Sequence, residues 1–500
     1  MKKTAISPKQ LTALILLFAV FVTVLSSCAS KDAEKQETAA DETSAVQETE
    51  TPVKITDEKF TGEEFNIAYM TGGSYGMGNE VYYSFEDSET SFISSAVYER
   101  NRLTEERLDI TIKGTFINPS EATTFNNYIM NLVQAGDTTY DAICNYLRYN
   151  YWLVQQQGLL NIREIDSFCL DNPWWDKGVN ESFSFMGKKQ FFATGDICFD
   201  DDCTTQIMVF SKKLHGDYGL EQPYEIVKNG GWTLDMMVEN MALAYNDLNG
   251  DGIMDRNDSY GLSVGVGNYL EFMITMNAPS AVIDEEGIPR FAYTYQPEKM
   301  TTVFNAIFDK LIVNPGVVVT EYDLASDYSG ARNMFGNDQF MYCGIAIGSL
   351  ESLRNQMEDG FGVIPFPKLD EKQEKYYSSG SMWASTYAVP VTSENPDRTG
   401  AILNVMGYYS VDTVTETVIQ KVVMNRNLRD IESEEMVRIA IREKIYDIGL
   451  VLALGDFYIK IYDIAKTKTN TFVSDMESIQ PKFEADIEAL IEAYTEAGAP

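Results

Sequence analysis

A chain of 500 residues exceeds what one hydrophobic core usually organises, and 44% hydrophobic with 23% charged residues is the balance of a folded chain. Asp and Glu number 75 against 39 Lys and Arg, for a formal net charge of −36. That charge excludes electrostatic capture of nucleic acid or of anionic lipid headgroups, and is compatible with a neutral or cationic ligand or with solubility alone.

Lys2, Lys3 and Lys9 precede an apolar run from Leu11 to Leu25. A charged stretch followed by an apolar one is the pattern of a secretory signal, and the run is short for a span that needs about 20 residues. It ends in Leu25-Ser26-Ser27-Cys28, which resembles a bacterial lipobox. The resemblance implies cleavage after Ser27 and a diacylglycerol on the Cys28 thiol, anchoring the rest outside the membrane; the alternative is an ordinary signal that contains a cysteine. From Ala29 to about Lys59 the chain is rich in Glu, Thr, Ala, Asp and Gln, with no aromatic before Phe60. Such a segment buries too little apolar surface to fold, so it reads as a tether.

Phe65–Tyr69 reads as a buried strand running into a glycine-rich loop with Tyr75, whose glycine spacing does not match a dinucleotide fingerprint. Phe92 to Leu108 has helical spacing, Ile110–Lys113 is a short strand, and Phe125 to Val133 a second helix. Tyr140–Tyr146 is a strand, with a helix beginning at Tyr151. Alternating strands and helices predict a parallel α/β sheet, with ligands beyond the carboxyl ends of its strands. That places Gly72 to Tyr75 and Tyr146 to Tyr149 at a pocket rim.

Further strands are expected at Gln190–Ile197, Ile207–Phe210 and Phe340–Ile347, the last running into Gly348-Ser349. Trp232-Thr233 opens a helix with Thr233 as its cap. That helix leads into Asp247-Leu248-Asn249-Gly250-Asp251-Gly252-Ile253-Met254-Asp255-Arg256-Asn257-Asp258. Oxygens of Asp247, Asn249 and Asp251 stand at loop positions 1, 3 and 5, the Ile253 carbonyl at 7, and Asp255 and Asp258 at 9 and 12, the spacing of a Ca²⁺ loop. A solvated Asp/Asn/Gly turn without metal is the alternative. Beyond lie a helix from Met300, a strand at Phe361–Pro367, an open loop with Trp383, and a helical C-terminal third.

Five cysteines besides Cys28 cannot all pair; Cys198 and Cys203 are close enough for a short-loop disulfide, and no Cys/His cluster suggests zinc. The lone His215, beside Lys212 and Lys213, is expected at the surface. No nucleophile elbow, H-E-x-x-H or P-loop is present, so an enzyme is not expected.

Several of these blocks together resemble the extracellular solute-binding proteins of ATP-driven importers, the group that includes maltose-binding protein, and in particular a branch carrying a calcium loop. They are the lipobox and tether, Tyr140 to Ile165 with Gly158-Leu159-Leu160, Gly195-Asp196, Trp232 to Gly261, Gly362 to Pro367 and Ala388-Val389-Pro390. The resemblance implies a monomeric two-lobed α/β fold of the periplasmic-binding-protein kind, with a hinge and a sugar held between the lobes for delivery to a membrane permease. It implies residues 1–27 as signal, 28–60 as acylated tether, 61–192 with 367–409 as lobe one, and 193–366 with 410–500 as lobe two. Sugars rest flat C–H faces on aromatic rings and offer hydroxyls to carboxylates and amides. Trp383, Asp196, Tyr75, Tyr146, Arg148, Ser349 and Trp232 are therefore the candidate ligand residues, with Trp174 and Trp175 as further aromatics, each with a core or lobe-interface role as the alternative. A surface adhesin, or a receptor for peptides or another solute, is the competing reading.

Overall fold

Phe65, Ile67, Ala68 and Tyr69 are all buried, so the strand Glu63–Tyr69 (β1) is covered on both faces. The computed structural model describes residues 53–70, 79–118, 122–186, 189–354, 360–422 and 431–497. The stretch read as a signal, Cys28, most of the stretch read as a tether, and Tyr75 lie outside the described residues.

After β1 come Ile110–Phe116 (β2), Ala142–Tyr146 (β3) and Phe192–Ala193 (β4). The chain then builds a second sheet from Gln206–Ser211 (β5), Tyr260–Val264 (β6), Val317–Val319 (β7), Phe340–Ala346 (β8) and Phe361–Ile364 (β9). It returns for Ser385–Ala388 (β10). The first sheet has the order β2-β1-β3-β10-β4 and the second β9-β5-β8-β6-β7. A wholly parallel sheet was the expectation, and both sheets are mixed. β1 runs parallel to β2 and β3, whereas β10 is antiparallel to β3 and β4. β8 is parallel to β6, and β5 is antiparallel to β8 and β9. The strands that enter just after a crossing between sheets, β5 and β10, are the ones that run against the parallel set.

Register fixes what the crossings join. Tyr146 pairs with Ser385, and Ala193 with Tyr387, so β3 ends, β4 ends and β10 begins at one edge of the first sheet. Ala346 pairs with Gln206, and Ile364 with Met208, so β8 and β9 end where β5 begins. The crossings from Ala193 to Gln206 and from Ile364 to Ser385 therefore link the carboxyl ends of the parallel strands in both sheets.

Three helices pack beside the first sheet: Phe92–Leu108 (α1), Ala122–Ala135 (α2) and Leu147–Gln155 (α3). Ser91 caps α1 through a reciprocal bond with Ser94, and Asp109 ends it in the left-handed region at φ 54°. Ile93, Ala96 and Val97 of α1 pack with Ile207, Phe335 and Val418, whereas Leu108 packs with Phe65 and Ile67, so one helix serves both cores. The final helix, Phe472–Glu496 (α4), packs along its whole length into one core. Its Phe472 stacks on Phe304 and its Phe483 on Phe291, each at 4.1 Å, while Tyr494 stacks on Phe185 at 4.1 Å. Among the described residues no helix is long and apolar enough to cross a membrane.

Two expectations are corrected here. His215 is buried, not at the surface: Nδ1 donates to the Glu221 carbonyl, and Nε2 meets the Tyr342 hydroxyl, each at 3.1 Å. Its helix, Lys212–Asp217, turns Leu214 and His215 inward; the neighbouring lysines concealed that face in the sequence. Cys198 and Cys203 are both buried and no disulfide joins them.

Candidate functional site

β3 passes directly into α3. Tyr146, the last strand residue, stands at the helix N-cap in extended conformation and supplies no side-chain cap. The first amides of a helix need acceptors from elsewhere. Leu147 N–H donates to the Ala384 carbonyl at 2.9 Å and Arg148 N–H to the Met382 carbonyl at 3.3 Å. The start of α3 therefore pins the turn Ser381–Ala384, itself closed by Ala384 N–H on the Ser381 carbonyl at 3.1 Å.

That turn carries Trp383 over Tyr146 and Tyr149. Its indole meets both rings edge-on at 5.8 Å, and the two tyrosines meet each other at 6.2 Å. Trp383 nevertheless remains 42% exposed. Adjacent is a cavity of about 490 Å³ between α2, α3 and the C-terminal part of the chain. Tyr149 and Trp152 give it aromatic wall, and Asn126, Asn127, Arg148, Gln155, Lys482 and Asp486 give it hydrogen-bonding groups. An apolar or aromatic wall with a few polar groups, in this size range, is the usual make-up of a small-molecule site.

The structure brings together Tyr146, Arg148 and Trp383 among the expected ligand residues. Arg148 and Tyr149 line the cavity, with Arg148 Nη1 3.3 Å from Met382 Sδ. Ser349 stands apart from that cluster, in the turn Ile347–Ser349 at the end of β8, which is tied to the first crossing by Ile347 N–H on the Thr205 carbonyl at 2.9 Å. Asp196 lies on the same crossing, where its Oδ1 accepts from the Thr415 hydroxyl at 2.7 Å. Burial pushes its carboxyl up to about 7, and the nearby Asp202 and Asp176 add to the rise, against Thr415 and Lys444.

Other expected aromatics are in cores. Trp232 is fully buried, its Nε1 donating to the Pro365 carbonyl at 3.0 Å and its ring 5.3 Å from that of Tyr342, so its place as a ligand contact is corrected. Trp174 and Trp175 are likewise buried, bonded to Asn404 Oδ1 and the Phe168 carbonyl. Trp152, Lys482 and Asp486 were not singled out in the sequence; Lys482 and Asp486 reach the site from more than 300 residues away, which no local pattern reveals.

The crossings are held by a buried charge cluster. Lys444 Nζ lies 3.0 Å from Asp176, 2.9 Å from Asp201 and 3.0 Å from Asp202. Burial opposes the lysine's charge, but the three carboxylates hold it well above the usual range. Lys444–Ile445 also pairs in parallel with Ser378–Ser379 on the second crossing.

In the loop from Asp247 to Asp258, side chains turn back on the backbone. Asp247 accepts from Gly250 N–H at 2.6 Å and Gly252 N–H at 2.7 Å, Asn249 from Asp251 N–H at 2.9 Å, and Asp251 from Ile253 N–H at 2.8 Å. Gly250 and Gly252 sit at φ 77° and 79°, open to glycine at little cost. These amide bonds draw the Asp247 carboxyl below its usual range. Asp258, fully buried, accepts from Leu248 and Asp255 amides and closes the loop's base. No three of the loop's carboxylates come within 4.8 Å of one another.

No protein-family model matches the chain, and no curated protein matches it. Solved structures do. The sugar-binding protein MalE of Xanthomonas citri superposes with a TM-score of 0.57 at 11% identity, over 86% of this chain and 98% of that one. A sugar transporter protein of Rhizobium etli in an open conformation gives 0.55 at 12%, over 87% and 99%. An ABC substrate-binding protein of Listeria monocytogenes in complex with cycloalternan gives 0.50 at 11%, over 86% and 99%. At such identity the likeness is one of fold: the chain has the two-lobed α/β architecture of the sugar-binding proteins of ABC transporters.

Proposed function

We propose that this protein is the solute-binding lipoprotein of an ABC importer, capturing a neutral oligosaccharide beside Trp383 and passing it to a membrane permease. The observation that carries the reading is the exposed indole of Trp383, held edge-on by Tyr146 and Tyr149 next to a cavity lined by Arg148, Asn126, Asp486 and Lys482. A flat apolar ring beside fixed donors and acceptors matches the two chemistries of a sugar, its C–H face and its hydroxyls. Solved structures of like fold support the same class, since one holds cycloalternan and another maltotetraose. The absence of a recognisable catalytic motif in the sequence supports binding without turnover. Asp196 on the first crossing and Ser349 at the end of β8 would contribute hydroxyl acceptors when the lobes close, a hinge motion. Cys28 would carry the anchor, with the acidic segment to residue 60 as spacer.

Calorimetry against α- and β-linked oligosaccharides tests the reading. Heat with a neutral oligosaccharide, and recovery of the sugar unhydrolysed, is the expected outcome. Heat only with peptides or polyamines would replace the ligand class, and hydrolysed sugar would make the protein an enzyme.

The loop 247–258 we read as a structural Ca²⁺ site. Its 1-3-5 side chains already form the amide bonds that shape such loops, and Asp258 stands ready at the base. Asp247, Asn249, Asp251, Asp255, Asp258 and the Ile253 carbonyl would supply the oxygens, with Ca²⁺ drawing the carboxylates inward.

A further inference from the structure

We propose that Glu80, Cys144 and Cys198 form a buried site for a single thiophilic divalent cation, with Zn²⁺ the best match, distinct from both the sugar cleft and the calcium loop. The three come from separate stretches: the segment before α1, strand β3, and the first crossing. One ligand atom of each lies within 4.8 Å of the other two. All three residues are fully buried.

Orientation is fixed from outside the triad. Glu80 Oε2 accepts from Phe199 N–H at 2.9 Å and Asp200 N–H at 3.0 Å, bonds of the kind that aim a metal-binding carboxylate. Cys144 is the register partner of Tyr387, so both side chains leave the same face of the first sheet. The Tyr387 hydroxyl is fully buried and has no hydrogen-bond partner. Such a group is costly to leave unpaired. It is placed to complete a fourth position or to donate to a thiolate.

Two sulfurs and a carboxylate oxygen are a zinc donor set. A Zn–S bond of about 2.3 Å puts tetrahedral sulfurs about 3.8 Å apart, so small side-chain rotations bring atoms now within 4.8 Å onto one ion. Charge also closes. Two thiolates and one carboxylate on a dication leave one negative charge. Arg100, fully buried, supplies one positive: its guanidinium donates to the carbonyls of Val81 at 2.9 Å and Ile197 at 3.0 Å, the chain neighbours of Glu80 and Cys198. Binding is then an exchange in which two S–H protons leave as two metal–sulfur bonds form. Nothing is oxidised, and binding releases protons. The ion would fasten β3 to the crossing that carries Asp196 and Asp200, and so stiffen the hinge.

The test uses the secreted chain, reduced and stripped of metal, in an Asp247→Ala Asp251→Ala background that removes the calcium loop. Titration with Co²⁺ is expected to give a thiolate-to-metal charge-transfer band that saturates at one ion per chain and is displaced by Zn²⁺. Native mass spectrometry should show one Zn²⁺ bound with two protons lost. Cys198→Ser should abolish the band; because that variant could misfold, the wild-type cysteines carry the decision. No band and no bound ion in the reduced protein overturns the proposal. So does a mass two hydrogens lighter without metal after isolation, since it would mean that Cys144 and Cys198 serve as a disulfide. Neither result bears on sugar binding.

Discussion

The indole of Trp383 stands edge-on to the ring of Tyr146, centroids 5.8 Å apart and planes at 86°. The turn that holds it is fastened to the first two amides of α3, so the platform is set before a ligand arrives. Preorganised aromatics of this kind dominate binding energies, and truncating one commonly costs about 2 kcal/mol, roughly thirtyfold in affinity. Trp383→Ala is expected to show that loss by calorimetry. Because the side chain is 42% exposed, the melting curve of the unliganded variant should stay close to wild type. A marked fall in unliganded stability would show that the indole serves packing instead.

Anchoring is tested by Cys28→Ser. A diacylglycerol inserts two acyl chains at about 0.8 kcal/mol per buried CH₂, enough for stable attachment. The wild type should fractionate with membranes and the variant should appear in the medium. Equal partition of the two would leave Cys28 as an ordinary residue of a signal.

Calcium should act on stability. A metal bound only by the folded state stabilises it by about 2.7 kcal/mol at one hundred times Kd. Chelator should therefore lower the wild-type melting temperature, and Asp247→Ala with Asp251→Ala should remove that sensitivity. A wild-type curve indifferent to chelator and to added Ca²⁺ would return the loop to a solvated turn.

How much was legible in the sequence divides along the range of the interactions. Strands such as Glu63–Tyr69 and helices such as Phe92–Leu108 follow from periodicity within one stretch. Tyr146 and Arg148 were singled out because they follow a strand end, and Trp383 because it sits on an open loop; the structure brings the three together. Trp232 was misplaced because burial by Tyr342 and Pro365 is a tertiary fact more than 100 residues away. The antiparallel course of β5 and β10 was hidden for the same reason, since alternation of strands and helices does not record which sheet a strand joins. Cys198 pointed to its near neighbour Cys203, yet its thiol keeps company with Cys144 on strand β3.

Asp196 makes stability depend on pH. Its folded pKa, about 7, is raised by burial above an unfolded value of about 3.9. The contribution is fully present below the unfolded value and is lost as pH rises through 7, with a slope approaching 1.4 kcal/mol per pH unit between. His215 works in the opposite sense: burial lowers its pKa, so its contribution is present above about 6.5 and lost as pH falls. Urea denaturation at pH 5, 6, 7 and 8 should show the stability difference between pH 5 and 8 shifted in Asp196→Asn by the loss of that slope. An identical pH profile in the two proteins would mean that Asp196 ionises normally.

Lys444 is the last and most severe case. Among the described residues its ammonium is the one cation bridging Asp176, Asp201 and Asp202, with all four side chains buried or nearly so. One Asp201 oxygen already lacks a partner, and burial pushes that carboxyl well above its usual range, so the site has no spare stabilisation to lose. Removing one side of a buried ion cluster costs far more than a surface pair, about 3–5 kcal/mol, because charges remain without compensation. Lys444→Met keeps the length of the aliphatic stem and deletes only the ammonium, which separates charge from packing. The variant is expected to lose stability on that scale near pH 7, and to recover part of it at pH 5 as the abandoned carboxylates take up protons. Equilibrium urea denaturation at the two pH values decides it. A loss below about 1 kcal/mol at pH 7 would place the protons on the aspartates already in the wild type, and the cluster would then hold the crossings by hydrogen bonds alone.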